Sequence, residues 1–150
     1  MKKTYILMSA MVMSFIILIA TYLSSNYFNM EKAKIQDINT NDIVASTSED
    51  SIKHSTNLIT LKIKNTSDIE YTYGKHFSLE TYKDGSWYTV PFKKDTAFNE
   101  IAISLSPHKT NTESINLSLF NKLSNGKYRI VKSLYSQGEE LTVDAEFDVR

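Results

Sequence analysis

Three sets of side chains in this sequence are of types that could do chemistry: three imidazoles, a run of alternating carboxylates, and aromatic rings facing each other across a tight turn. His54, His76 and His108 stand singly in expected loops, with no H-x-x-x-H pair and no cysteine to complete a metal site, so they read as solvated loop residues. Asp144, Glu146 and Asp148 alternate along one expected strand, which puts three carboxylates on one face, where they could hold a hard cation such as calcium. Such a site needs about six oxygens or more, and a solvated acidic strand opposite lysines accounts for the pattern better. The chain has no G-x-S-x-G elbow and no phosphate-cradling loop, with only four glycines in all. Neither an enzyme nor a cofactor is expected.

The aromatic set is richer. The stretch "FSLETYKDGSWYTVPF" reads as a β-hairpin with Asp84-Gly85 at its tip. A two-residue loop pairs Lys83 with Ser86, Tyr82 with Trp87, Thr81 with Tyr88 and Leu79 with Val90. Phe77, Leu79, Tyr88, Val90 and Phe92 then share the inner face, and Tyr82 meets Trp87 on the outer one. With Tyr135 as a further outward ring, Tyr82 and Trp87 are candidates for an exposed platform that binds a sugar ring or a partner protein. The alternatives are that this face packs on a neighbour, or that a bulge at Gly85 shifts the register and buries Trp87.

The elements that would position these residues are strands. "LITLKIKN" alternates Ile59, Leu61 and Ile63 with polar residues, and "IEYTYG" does so with Ile69, Tyr71 and Tyr73. "AFNEIAISL", "SINLSLF", "KYRIVKSLY" and "LTVDAEFDV" follow at regular spacing, giving eight or so short strands with no helical periodicity beyond residue 40. An antiparallel Greek-key β-sandwich is the architecture this spacing favours. Within it "LSNGKYRI" reads as a tyrosine corner: Leu123 packs under the loop, Gly126 supplies a permissive backbone, and the Tyr128 hydroxyl returns to upstream backbone.

The N-terminus is of another kind. Lys2 and Lys3 precede a run of twenty uncharged residues, Thr4 to Leu23. At a helical rise this run measures about 30 Å, the thickness of a bilayer's hydrocarbon core. Tyr5, Tyr22 and Tyr27 fall where interfacial aromatics sit, and the lysines favour a cytoplasmic N-terminus with the rest outside. A cleaved signal peptide is the rival, yet its apolar region is usually about 7 to 15 residues, and Tyr22 or Leu23 fits poorly three residues before a cut. Both readings predict export. The expected organisation is an anchor or signal segment over 1–25, a juxtamembrane stalk over 26–39, helical at first because Glu31 and Lys34 stand three apart, and a β-domain over 40–150.

Seventeen basic and seventeen acidic residues cancel, which argues against nucleic acid and polyanionic lipid as partners. The absence of cysteine means that the core alone must hold an exported domain together. The blocks "NTSDIEYTYGKHFSLETYKDGSWYTVPF", "AFNEIAISLSPHKT", "LSNGKYRIVKSL" and "AEFDV", in this order, resemble the bacterial immunoglobulin-like domain of exported, membrane-attached or lipid-anchored Gram-positive proteins. Relatives usually carry a Pro-Pro-Gly-like turn and a tryptophan-rich preceding strand, where this chain has Ser124-Asn125-Gly126 and "NLSLFNK". The resemblance implies a fold and no reaction. The expectation is a non-enzymatic, membrane-tethered extracytoplasmic module that binds an envelope protein or cell-wall polymer. The alternative is an accessory ectodomain that serves a membrane partner and has no ligand of its own.

Overall fold

The structure, a computed structural model, describes residues 12–18, 30–38 and 40–150. The chain divides into a unit of residues 1–30 and a compact unit, Glu31–Arg150. In the first, residues 12–18 are helical and exposed. The rest of the uncharged run at 4–23 lies outside the described residues, and among the described residues no helix is long and apolar enough to cross a membrane.

The described residues of the second unit form ten strands in two sheets. The smaller sheet is antiparallel, in the order β1 (Ile43–Thr47), β3 (Leu58–Asn65) and β8 (Thr110–Asn116). The larger one is organised around a long hairpin of β9 (Gly126–Ser136) and β10 (Glu139–Val149), with β2 (Ser51–Ile52) parallel to the end of β10. Two short pairs share the far edge of β9: β5 (Ser78–Lys83) with β6 (Ser86–Val90) at its N-terminal half, and β4 (Tyr71–Tyr73) with β7 (Ile103–Leu105) at its C-terminal half.

Alternation dictates the core. Ile59, Leu61 and Ile63 of β3 face Tyr128, Ile130 and Leu134 of β9 and Val143, Ala145 and Phe147 of β10, all buried in one cluster. At one margin Phe77, Phe92, Phe98 and Phe120 form an edge-and-stack group, Phe92 and Phe120 lying 4.5 Å apart between centroids. It fastens the long connection between β6 and β7 to the body. Asn65, fully buried at the end of β3, donates to the carbonyls of Ile69, Leu105 and Ser106, and so clips one sheet to the other.

The expected hairpin register holds residue for residue, Lys83 opposite Ser86 and Tyr82 opposite Trp87. Asp84 and Gly85 both have positive φ, 48° and 78°, the type I′ geometry whose twist matches that of the flanking strands. Tyr88, Val90 and Phe92 on its inner side are half-buried rather than buried. "SINLSLF" is not one strand. After Asn116 the chain makes a 3-10 turn, Leu117–Leu119, because the Asn116 side-chain oxygen accepts from the Ser118 amide and diverts the backbone.

Residues 31–38, read from composition as stalk with a helical start, are neither helical nor detached from the β-domain. Lys32 bridges antiparallel to Tyr88, the Thr89 amide donates to the Glu31 carbonyl and the Ala33 amide to the Trp87 carbonyl. The segment is an extended strap along the edge of β6, and it satisfies backbone groups that an edge strand would leave open.

Candidate functional site

The sequence-predicted platform lies on the outer face of the larger sheet, and the strap decides its character. Tyr82 and Trp87 do form a cross-strand pair, with centroids 5.1 Å apart at 61°. Tyr82 is 45% exposed, as expected, but Trp87 is only 6% exposed. The exposed-tryptophan expectation is corrected here. No bulge is involved; the Arg129 guanidinium lies over the ring and Tyr82 against it, while the strap binds the Trp87 backbone, Gln36 taking the Trp87 amide at 2.8 Å on its side-chain oxygen and donating to the Ala33 carbonyl at 2.6 Å. Tyr135 is 48% exposed but sits eight positions along β9 from Lys127, the neighbour of Tyr82. At about 3.4 Å per residue that separation exceeds the reach of one ring-binding surface. The structure therefore brings Tyr82 and Trp87 together and leaves Tyr135 apart.

Beneath the strap lies Arg129, which the sequence reading did not single out. Its guanidinium stacks on Trp87, 4.3 Å from the ring centroid. It meets one Glu80 carboxylate oxygen through Nε at 2.7 Å and Nη2 at 2.6 Å, and it donates to the strap carbonyls of Gln36 and Ile35 at 3.0 and 2.6 Å. A buried fork of donors with a carboxylate and two carbonyls is a satisfied arrangement, and a guanidinium is the cation whose planar shape permits it. Asp144 comes within 3.6 Å of the same group. Burial pushes its carboxyl above the usual range, and Arg129 pulls against that shift. The signal for this site was a charged residue midway between Tyr128 and Ile130 whose partners depend on the cross-strand register, and that register aligns Glu80 with Arg129.

Between the sheets lies a second charged group. Lys132 takes an inward position on β9, and Glu113 takes one on β8. Their charged ends meet at 2.6 Å, Lys132 also donates to the Gly74 carbonyl, and Lys75 holds the other Glu113 oxygen at 2.9 Å. Burial lowers the Lys132 pKa against the opposing pull of Glu113, and burial raises that of Tyr73, whose ring lies 4.9 Å from the Lys132 nitrogen. Charged residues on the buried phase of two alternating strands were the available signal.

The remaining candidates are engaged structurally. Glu146 pairs with Lys127, whose pKa rises through that bond, and Asp148 pairs with Arg150, so the acidic face of β10 is matched by cations. No group of three or more His, Cys, Asp or Glu among the described residues is arranged to hold a metal ion. His108 contacts Asp68 at 2.7 Å, and His76 packs edge-on against Phe98. At the corner Tyr128 is buried and its hydroxyl donates to the Ser124 carbonyl at 3.0 Å, while Leu123 packs on the core. Gly126 has φ 157°, and a Cβ there would sit 3.8 Å from the Tyr128 ring.

No curated protein matches this chain. Among solved structures it is similar, at 14% identity and a TM-score of 0.36, to the Pseudomonas fluorescens alkylpurine DNA glycosylase AlkC bound to DNA containing an abasic site analog. The match covers 73% of this chain and 30% of that one, and at this level it carries no argument. The family comparison is of a different order, because it extends over nearly the whole β-domain. Residues 39–148 match the family model of the bacterial Ig-like domain, and the chain belongs to that family.

Proposed function

We propose that this chain is a membrane-tethered, extracytoplasmic module that acts by binding envelope material or an envelope protein, and not by catalysis. Family membership indicates an extracellular-type module, and domains of this family are typically non-catalytic. The observation that carries the non-enzymatic reading is the state of the reactive side chains. Among the described residues no buried side-chain nitrogen or oxygen lacks a hydrogen-bond partner, so the buried charges serve the fold. The tether rests on the uncharged run at 4–23 and the lysines before it.

The strap favours a second reading, an accessory ectodomain that works beside a membrane partner. Because the β-domain takes up the chain from Glu31, only residues 24–30 separate it from the uncharged run. Protease added to intact cells is expected to remove the β-domain and leave a membrane-bound N-terminal fragment; full protection would overturn the topology. Exchanging residues 4–23 for an unrelated spanning helix then separates the two readings. A binding module keeps its activity, and an accessory that depends on its own helix loses it.

A further inference from the structure

We propose that a cleft at one end of the sandwich is a binding site for a phosphate ester. This rests on the reading that the domain binds envelope material, and it names the chemistry of that material and the residues that take it. The cleft, of about 40 Å3, opens between the β2–β3 connection and the residues that follow the 3-10 turn. Its floor is apolar: Ile52, Leu117 and Val149, all buried members of the core, with Leu123 beside them. Its rim carries two lysines and two side-chain amides, with Lys53 and His54 on one side, Lys122 and Asn121 on the other, and Asn57 between.

No carboxylate lines the cleft. Neither Lys53 nor Lys122 is ion-paired among the described residues, in contrast to Lys75, Lys127, Arg129 and Lys132, each of which meets an acid. Two exposed lysines that line a concavity without a counter-charge favour an anion. The frame is held in place: the Thr56 amide donates to the Lys53 carbonyl and the Leu117 amide to the Asn57 carbonyl, at 2.9 and 2.8 Å. The Lys53–Asn57 side of the rim thus hangs on backbone already tied to the core.

Size and polarity narrow the class. The volume takes about three water-sized groups. That matches the free oxygens of a phosphate monoester, or two free oxygens and an esterified carbon of a diester. The lysines and side-chain amides supply charge-assisted and neutral donors to the oxygens, and the apolar floor suits the carbon that a bare inorganic ion lacks. A soluble monoester and a diester polymer share this chemistry, and the test separates them.

The full-length chain, 15N-labelled and kept in a neutral detergent, is titrated at fixed ionic strength with inorganic phosphate, sn-glycerol 3-phosphate and poly(glycerol phosphate). Saturable shifts of the amides of residues 53–57 and 121–123 are expected with both esters, with inorganic phosphate binding more weakly. Lys53→Gln with Lys122→Gln is expected to weaken ester binding by about tenfold or more, while Lys62→Gln with Lys64→Gln, on the exposed face of β3, leaves it unchanged. Tighter binding of the polymer per phosphate identifies the diester as the source, and tighter binding of glycerol 3-phosphate the monoester. The absence of saturable shifts, equal binding of inorganic phosphate, or indifference to the Lys53 and Lys122 changes would overturn the site. Capture of envelope extract on wild type and on the double variant keeps the two readings apart. Capture retained by the variant overturns the cleft and spares the binding function. Ester titration with no capture by wild type overturns the envelope reading and spares the cleft.

Discussion

Taking away one oxygen at Tyr128 tests the corner directly. Its hydroxyl donates to the Ser124 carbonyl at 3.0 Å and lies 3.4 Å from the Ser124 hydroxyl, and Ser124 is exposed, so water can replace the donor once it is gone. Tyr128→Phe is therefore expected to cost about 0.5 to 1.5 kcal/mol, towards the lower end, read as a shift in urea midpoint with unchanged slope. Asp144 gives the opposite sign. Its folded pKa is raised from 3.8, burial outweighing the attraction of Arg129, so the native state holds the proton more tightly than the unfolded chain does. The stability this confers is fully present below pH 3.8 and is lost as pH rises through the folded pKa. Asp144→Asn escapes that loss. Thermal melts are expected to place the variant at or above wild type at pH 7, with the advantage narrowing towards pH 3.5; a variant markedly less stable at pH 7 would mean that the contact with Arg129 dominates.

The strap is the element that most changes the picture drawn from sequence, and the reason is physical. The hairpin was legible because its information is local: an Asp-Gly turn and a period-two pattern fix the register within sixteen residues, 77–92. The corner was legible for the same reason. Residues 31–38 have no apolar periodicity, and what holds them is the edge of β6, including the Trp87 amide that Gln36 accepts from, and the fork of Arg129, all distant in sequence. Trp87 was assigned to the correct face, but what covers that face could not be read from the hairpin. Because Trp87 is the sole tryptophan, its fluorescence reports on this one place, where the strap meets the Arg129 and Tyr82 side chains. Gln36→Ala is expected to shift its emission to the red and raise acrylamide quenching while far-ultraviolet dichroism stays unchanged. Emission identical to wild type would show that the backbone bonds of Glu31 and Ala33 hold the strap without the side chain.

At the scale of the whole molecule, two sheets without a disulfide are joined across their interior by Lys132 and Glu113 as well as by apolar packing. The pair was invisible in composition, since one lysine and one glutamate among seventeen of each charge carry no mark until the strands are phased. A buried ion pair is costly to break and cheap to replace. Glu113→Gln leaves Lys132 without its counter-charge and is expected to destabilise by about 3 to 5 kcal/mol. Glu113→Leu combined with Lys132→Met is expected to recover most of that loss, because Lys75 is half exposed and can turn to water. Chemical denaturation of the single and double variants measures both; a double variant as unstable as the single would mean that the Gly74 carbonyl, not the charge, is what the site requires.

The strap also determines how tension would travel through the protein. A pull from the N-terminal side of Glu31 would meet the strap before the core. It reaches first the bond between Thr89 and Glu31, then that between Ala33 and Trp87, and only afterwards the grips of Gln36 and Arg129. The first bonds lie along the β6 edge of the larger sheet and those of Arg129 further in, so a pull would meet them in chain order, like stitches in a seam. Strap residues 31–36 would come free while the sandwich stays folded, lengthening the lead to the domain by about 20 Å, six residues at the extended limit. The same event would bare Trp87 and the buried guanidinium beneath it, so that stretching would be converted into a newly exposed aromatic and cationic surface.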